Sequence, residues 1–245
     1  MNKNVFIVLV WLEYLTTMRV GVFDSGIGGL NVLAKMMQIY PGNEYLFYAD
    51  NLNMPYGTKD IEVVINGVRK GMDYFLFSGV DEVIVACNTA CCLAGDIIKR
   101  EYPFKVVKVT DTVVEMIKNE DKVIFFATMN TVKSLDGSFG DNVRLVGLPT
   151  FASRIERVAP RFYRLYDDVR ELAKNVLPDE TIALGCTHYT YFQPYFSSLG
   201  YKVISEISNL SGCLTDNRNI RYPKMLLTNP LETAKYYKIL RYLVQ

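Results

Sequence analysis

The feature that most constrains the fold of this chain is a regular alternation of short apolar runs with longer stretches of helical periodicity. Each run is bounded by turn residues, as is typical of parallel strands that are buried on both faces. The predicted strands cover residues 19–23, 44–49, 82–86, 105–109, 122–127, 142–147, 181–184 and 202–205. Helices are predicted over residues 29–40, 60–78, 89–101, 153–176 and 230–243. The alternation predicts an α/β fold with parallel sheets and right-handed crossovers.

Composition narrows the classes of protein and partner. The chain has 245 residues, of which 50% are apolar and 22% are charged, so it can bury a substantial core. The formal net charge is only +1 and the basic residues are dispersed, which argues against nucleic acid or a membrane surface as a partner. The five cysteines are few and odd in number, which favours reduced thiols in a cytoplasmic protein over a disulfide scaffold.

The N-terminal stretch "MNKNVFIVLVWLEYLTT" is expected to be an extension of the folded protein. Its apolar run is too short to span a bilayer, and no cleavage site of the A-x-A type follows it. A second sequence with the character of a start, "MRVGVFDSG", begins at Met18. A mis-assigned start accounts for residues 1–17 equally well, and a signal peptide is the less favoured alternative.

Two segments of the chain echo one another. "VIVACNTA" (83–90) and "IALGCTHY" (182–189) each place a cysteine, Cys87 or Cys186, at the carboxyl end of a predicted strand. This edge of an α/β sheet is where ligands bind, and the N-terminus of a following helix favours anions and lowers the pKa of a thiol. A single such cysteine would be interpreted as a small buried apolar residue. Two in matching contexts favour a functional pair, with the only histidine, His188, beside one of them.

Two further loops follow predicted strands. The glycines of "GVFDSGIGGLNVL" (21–33) suggest a nucleotide-binding loop, but the segment lacks G-K-[ST] and its spacing is G-x-G-G. Asp24 and Ser25 can cap the next helix, a role that is compatible with catalysis. In "ADNLNMPYGTKD" (49–60), Pro-Tyr-Gly is by itself only a turn signal.

Taken together, four motifs resemble those of the cofactor-independent glutamate racemases of the aspartate/glutamate racemase family. They are "FDSGIGGL", "PYGTK", "ACNTA" and "LGCTHY". The resemblance runs from about Met18 to near the end of the chain. It implies two similar parallel-sheet α/β domains, related by a pseudo-twofold, with the active site in the cleft between them and one cysteine from each. The domains are predicted over residues 1–112 with 213–245, and over residues 113–212.

The resemblance also implies the chemistry. Two thiols on opposite faces of Cα exchange the roles of base and acid, with no metal or other cofactor. Cys87 and Cys186 form the pair, Asp24 assists Cys87, and His188 assists Cys186. The predicted substrate-binding residues are Ser25, Pro55, Tyr56, Gly57, Asn88, Thr89 and Thr187. Because these motifs contain no arginine, backbone N–H groups, hydroxyls and helix dipoles are expected to hold the carboxylates of a small acidic amino acid. A homodimer is the ordinary assembly of such proteins.

Several positions depart from the family pattern. The chain has "THYT" in place of "THYP", and Asp111 is the nearest equivalent of a family glutamate that belongs to the proton network on the histidine side. Cys91 and Cys92 are interpreted as core thiols, because a metal site with Cys87 would have a poor tetrahedral zinc spacing.

The substrate and the class of activity have rivals. Aspartate is almost as well supported a substrate as glutamate, since the two acids differ by one methylene and a binding pocket discriminates one methylene by only about 1–3 kcal/mol. Two rival classes are a one-cysteine decarboxylase or hydrolase and a non-catalytic binding homologue. The matched cysteines argue against the first, and the intact set of Asp24, Cys87, Cys186 and His188 argues against the second.

Overall fold

The structure is a computed structural model that describes residues 18–208 and 223–245. The expectations for residues 1–17, and for residues 209–222 as part of the domain assignment, fall outside the described residues. The strands are β1 Arg19–Asp24, β2 Glu44–Ala49, β3 Glu82–Val85, β4 Lys105–Lys108, β5 Val123–Ala127, β6 Val143–Gly147, β7 Thr181–Gly185, β8 Val203–Ser205 and β9 Lys224–Leu227. The helices are α1 Gly29–Ile39, α2 Ile61–Phe77, α3 Asn88–Glu101, α4 Val109–Ile117, α5 Met129–Leu135, α6 Phe151–Val158, α7 Tyr166–Ala173, α8 Gln193–Ser198 and α9 Thr233–Leu243. Short 3₁₀ turns lie at Tyr56–Thr58, Phe162–Leu165, Tyr189–Phe192 and Pro230–Glu232.

The strands form two parallel sheets with matching topology. The first has the order β4-β3-β1-β2-β9 and the second has the order β6-β5-β7-β8. If β5, β6, β7 and β8 are matched to β1, β2, β3 and β4, both sheets have the same strand order. The two echoing sequence segments therefore occupy the same place in two copies of one α/β arrangement, as the sequence predicted.

All eight predicted strands are present, each within one residue of its predicted ends. The predicted helix over 153–176 is wrong, because the structure divides it into α6, a 3₁₀ turn and α7. Pro160 lies in the break, and a proline inside a helix removes a hydrogen bond and clashes with the preceding turn. The helices α4, α5 and α8 and the edge strand β9 were not predicted.

The largest part of the core surrounds the first sheet and extends to the helices packed on the second. Val22, Phe23 and Phe47 are fully buried, and Phe47 meets Tyr236 of α9 with ring centroids 6.2 Å apart. Burying side chains of this size contributes about 1.5–3 kcal/mol each. A smaller cluster places Val113 of α4 against the second sheet. In the described part of the chain, no helix combines the length and the apolar character that crossing a bilayer demands.

Candidate active site

The candidate site is built at the carboxyl ends of strands from both sheets. Asp24 ends β1, Cys87 follows β3 and Cys186 follows β7. All three side chains are buried, as is His188. The matching topology therefore places the two predicted thiols at equivalent positions, after β3 and after β7, in the two halves of the molecule.

Asp24 joins the two halves. Its Oδ1 accepts a hydrogen bond from the backbone N–H of Gly26 at 2.8 Å, which fixes the turn after β1. Its Oδ2 accepts from the hydroxyl of Thr187 at 3.0 Å, and Thr187 directly follows Cys186. Burial raises the pKa of Asp24 to about 6, although the nearby His188 opposes the rise. The carboxylate of Asp24, at the end of a strand of the first sheet, therefore holds the turn that bears Cys186, at the end of a strand of the second sheet.

Cys87 lies at the start of α3, as predicted, and its Sγ is 3.7 Å from the hydroxyl of Ser25. The expectation that the helix N-terminus leaves this thiol with a lowered pKa is wrong. Burial raises the pKa of Cys87 well above its usual value and the charge of Asp24 adds to the effect, whereas the backbone N–H of Ala90 only partly opposes it. Desolvation exceeds the helix contribution, so Cys87 is a neutral thiol at neutral pH.

Cys186 is held by a tight turn instead of the predicted helix N-terminus. The backbone N–H of Tyr189 donates to the carbonyl of Cys186 at 2.9 Å, and a 3₁₀ turn over Tyr189–Phe192 follows. The thiol lies 4.0 Å from Nδ1 of His188. This places the only histidine of the chain where its charge acts directly on the sulfur.

Sequence reasoning missed Glu156, the principal partner of His188. Its Oε2 lies 2.8 Å from Nε2 of His188 and accepts from the backbone N–H of Ile27 at 3.1 Å. Although burial favours neutral forms, the hydrogen bonds of His188 to Cys186 and Glu156 raise its pKa well above the usual value. Burial also opposes ionisation of Glu156, but the bond to His188 and its charge outweigh this, so the pKa of Glu156 is lowered. The pair is therefore an imidazolium and a carboxylate at neutral pH.

Asp111 does not have the role that the sequence assigned to it. Its side chain is 58% exposed and forms ion pairs with Lys108 at 3.4 Å and Lys99 at 3.9 Å. Glu156 occupies the network beside His188 instead. The sequence signal that could have identified Glu156 is its position beside Ile155 on the apolar face of an amphipathic helix, where a charged residue is unusual. Both residues are buried in the structure.

The predicted substrate-binding residues Thr89, Gly57, Pro55 and Tyr56 make contacts of different kinds. Thr89 contacts Thr128, which follows β5 of the second sheet, with 2.8 Å between their hydroxyl oxygens. Gly57 also packs against Thr128, so closely that a Cβ on it would clash. Pro55 precedes the 3₁₀ turn, and Tyr56 directs its hydroxyl to Asp50 at 2.6 Å. The side chain of Tyr56 is therefore an anchor for this loop.

The additional cysteines are separate from the paired thiols. Cys91 is buried and its thiol donates to the carbonyl of Val85 at 3.0 Å, whereas Cys92 is only half-buried. Within residues 18–208 and 223–245, no three His, Cys, Asp or Glu side chains are grouped so that they would hold a metal ion.

The fold and the site define a class of α/β proteins in which two matching units present their functional groups to one another. No family model matches the chain. Glutamate racemase of Halothermothrix orenii is 32% identical over 217 residues, which are 83% of this chain and 85% of the relative. Glutamate racemase 2 of Bacillus subtilis is 31% identical over 202 residues, 76% of each chain. The chain belongs to the glutamate racemase family of amino-acid racemases.

Solved structures show the same fold. The glutamate racemase of Campylobacter jejuni superposes with a TM-score of 0.77 at 24% identity, over 93% of this chain and 98% of the other. The glutamate racemase of Francisella tularensis, in complex with D-glutamate, gives a TM-score of 0.73 at 24% identity over 94% of both chains.

Proposed function

We propose that this protein interconverts the L and D enantiomers of glutamate by proton transfer between two thiols and the substrate Cα, without a cofactor. The observation that carries the proposal is the placement of Cys87 and Cys186 after the matched strands β3 and β7, each buried beside its own polar partner. Membership of the glutamate racemase family supports glutamate as the substrate.

The two thiols are assigned different roles at the start of the reaction. Cys87 is held as a thiol by burial and by Asp24, and we assign the role of first base to Cys186, whose sulfur lies 4.0 Å from the imidazolium of His188. In one direction Cys186 removes the proton from Cα and Cys87 delivers its own proton to the opposite face. The product leaves with Cys87 as the thiolate and Cys186 as the thiol. The other direction uses these roles in reverse.

The carbanion that forms at Cα delocalises into the α-carboxylate, so donors there lower the barrier. The N-terminus of α3 directs its backbone N–H groups toward this region, and its dipole favours negative charge. The hydroxyls of Ser25 and Thr89 are the side-chain donors that we assign to the substrate, whereas Thr187, whose proton is directed to Asp24, is assigned as an acceptor for the ammonium group. The ammonium group of the substrate supplies a positive charge that offsets the cost of a buried thiolate.

Deuterium exchange tests the mechanism. In heavy water, early product should carry deuterium at Cα while unreacted substrate remains protiated, because one thiol removes the proton and the other delivers a deuteron. Cys87→Ala and Cys186→Ala should each abolish racemisation, since each lacks one of the two groups. Cys92→Ala, a thiol outside the pair, is the matched control and should keep nearly full activity. Extensive deuterium in recovered substrate, or racemisation by either of the first two variants, would contradict the proposal.

The substrate is tested by assaying both acids. Glutamate and aspartate in both enantiomers should be compared by kcat/KM, with glutamate expected to be preferred by a ratio on the order of 10 to 200, the range that one methylene supports. A higher kcat/KM for aspartate would reassign the substrate. A lost carboxyl group or a hydrolysed product in the same assay would favour the decarboxylase or hydrolase alternative.

The remaining assignments are also proposals. We assign the protein to the cytoplasm with a homodimeric assembly, and we expect activity to survive a chelator and the purified protein to lack pyridoxal phosphate absorbance. Light scattering during size-exclusion chromatography measures the assembly. Loss of activity on treatment with a chelator would contradict the cofactor-free mechanism.

A further inference from the structure

The departure from the family pattern at "THYT" has a specific partner in this chain. Thr190 lies in the 3₁₀ turn after Cys186, and its hydroxyl donates to Oε1 of Glu206 at 2.7 Å. Glu206 directly follows β8 and is 1% exposed. A proline at position 190 has no hydroxyl to donate, so this contact belongs to a chain with threonine there. It fastens the turn that bears Cys186 to the end of the neighbouring strand.

The other oxygen of Glu206 is not used by Thr190. Among the described residues, neither Oε2 of Glu206 nor Nδ2 of Asn88 has a hydrogen-bond partner, and both atoms are buried. Asn88 directly follows Cys87, and its Oδ1 accepts from the hydroxyl of Thr110 at 2.9 Å. This bond directs the amide N–H groups away from Thr110, and the Asn88 side chain lies close enough to influence the ionisation of Glu206.

We propose that Glu206 is a positioning residue for both thiol-bearing turns, holding the Cys186 turn through Thr190 and, when ionised, the Cys87 turn through the amide of Asn88. The inference rests on the proposed racemase function. Nothing in the two-thiol mechanism itself requires a carboxyl at this position, since Glu206 is assigned no contact with the substrate.

Protonation decides whether Glu206 can hold both turns. When Glu206 is a carboxylate, its second oxygen can accept a hydrogen bond from an N–H of Asn88. When Glu206 is protonated, that oxygen carries a hydrogen, and this O–H faces an N–H that is itself a donor, so no hydrogen bond forms. Burial raises the pKa of Glu206 to about 7, the charge of Asp24 adds to the rise, and the hydrogen bond from Thr190 opposes it. The change between the two arrangements therefore occurs near neutral pH.

The test compares wild type with Glu206→Gln over a range from about pH 5.5 to about pH 9. Glutamine keeps an acceptor for Thr190 but presents an amide N–H to Asn88 at every pH, so it imitates the protonated form. The ratio of wild-type to variant kcat should be close to one at low pH, rise through about pH 7, and reach about tenfold, as expected for one hydrogen bond to a charged group. KM should change little. Because the charge of Asp24 is coupled to Glu206, a second variant that keeps the carboxyl is needed to separate the two titrations.

Two further variants complete the experiment. Thr190→Val keeps the shape and the carboxyl but removes the donor, so the rise in activity should move to higher pH. Glu180→Gln is the matched control, because Glu180 is also buried but is paired with Arg144, outside the thiol-bearing turns. Its ratio to wild type should not vary with pH. Melting curves confirm that each variant is folded.

The outcomes separate the two proposals. A pH-independent ratio for folded Glu206→Gln, or an unchanged profile for Thr190→Val, would overturn the role of Glu206 while leaving the racemase function intact. Absence of racemisation in wild type would instead overturn the proposed function.

Discussion

At the scale of the residue, Glu156 sets the charge of the site. It is buried, yet it stays ionised because His188 and the backbone N–H of Ile27 both donate to the same oxygen. In return it keeps His188 protonated, with a pKa well above the usual value. A buried ion pair of this kind is costly to interrupt, because removing one partner leaves the other charge without compensation.

Glu156→Gln should therefore lose stability in a pH-dependent way. The raised pKa of His188 contributes stability that is complete below its unfolded pKa and is lost as pH rises through the folded value. The lowered pKa of Glu156 contributes stability that is lost on acidification. The difference in free energy of unfolding should thus be largest between the ordinary pKa values of glutamate and histidine, at about 1–3 kcal/mol, and shrink at alkaline pH.

Urea denaturation at several pH values measures this difference. Glu101→Gln, which removes an exposed ion pair with Arg69, is the control and should have little effect at any pH. A loss of stability in Glu156→Gln that grows with rising pH would show that His188 is not held as an imidazolium.

At the scale of the element, the C-terminal helix α9 reaches the site from outside the two thiol-bearing turns. Lys235 donates to the backbone carbonyl of Glu156 at 3.1 Å and lies 3.4 Å from Oε1, while Tyr236 places its hydroxyl 3.5 Å from the same oxygen. The helix also packs against α1 beneath the first sheet. It therefore links the core of one half to the carboxylate that orients the histidine of the other.

Lys235→Met should weaken this link without dismantling the helix. Its side chain is 23% exposed, so removing the charge should reduce kcat only about two- to fivefold, the equivalent of about 0.5–1 kcal/mol. The alkaline limb of the pH profile, where His188 loses its proton, should move to higher pH, because Glu156 stays ionised there and the loss of a neighbouring positive charge favours the imidazolium. Steady-state kinetics against pH provide the measurement.

Matched variants of the same helix separate charge from packing. Lys235→Arg should restore most of the activity, and Lys238→Met, one turn further along α9, should leave the profile unchanged. If Lys238→Met shifted the profile as much as Lys235→Met, the effect would belong to the general charge of the helix.

At the scale of the whole molecule, the site depends on how closely the two halves approach. A Cβ built on Gly28, between β1 and α1, would lie 2.7 Å from the backbone nitrogen of His188 and would clash with the hydroxyl of Thr187. Both of these residues follow β7 of the second sheet. The backbone of one half thus rests directly on the Cys186 turn of the other.

Gly28→Ala should separate the two halves and be destabilising by about 1–3 kcal/mol, with a large fall in kcat, because the turns with Asp24 and Thr187 no longer meet. Gly42→Ala is the control, since a Cβ there meets nothing within 4 Å and Gly42 does not have a positive φ. It should change stability by less than about 1 kcal/mol. Thermal melting and turnover of both variants measure the effect. Normal activity in Gly28→Ala would show that the close approach is not needed.

The sequence was sufficient for features that local patterns encode. Short apolar runs identified all the strands of the second sheet and four of the five in the first, and the echo around Cys87 and Cys186 indicated a repeated unit before any topology was known. The edge strand β9 lacked that signal, because its residues are partly exposed and its place depends on pairing with β2. Pro160 is a sequence signal for a break in the helix, but the helical periodicity on both sides of it led to the prediction of one continuous helix.

Tertiary structure alone decided which polar groups meet. Glu156 contacts His188, which is 32 residues away in the sequence, and Lys235 contacts Glu156, which is 79 residues away. Asp111, which the family pattern had suggested for this network, is instead exposed to solvent. It also decided that Cys87 is a protonated thiol, since desolvation acts through the packing of the whole site and outweighs the local helix terminus. Periodicity and strand ends are properties of neighbouring residues, whereas pairing and desolvation exist only after the two halves have packed together.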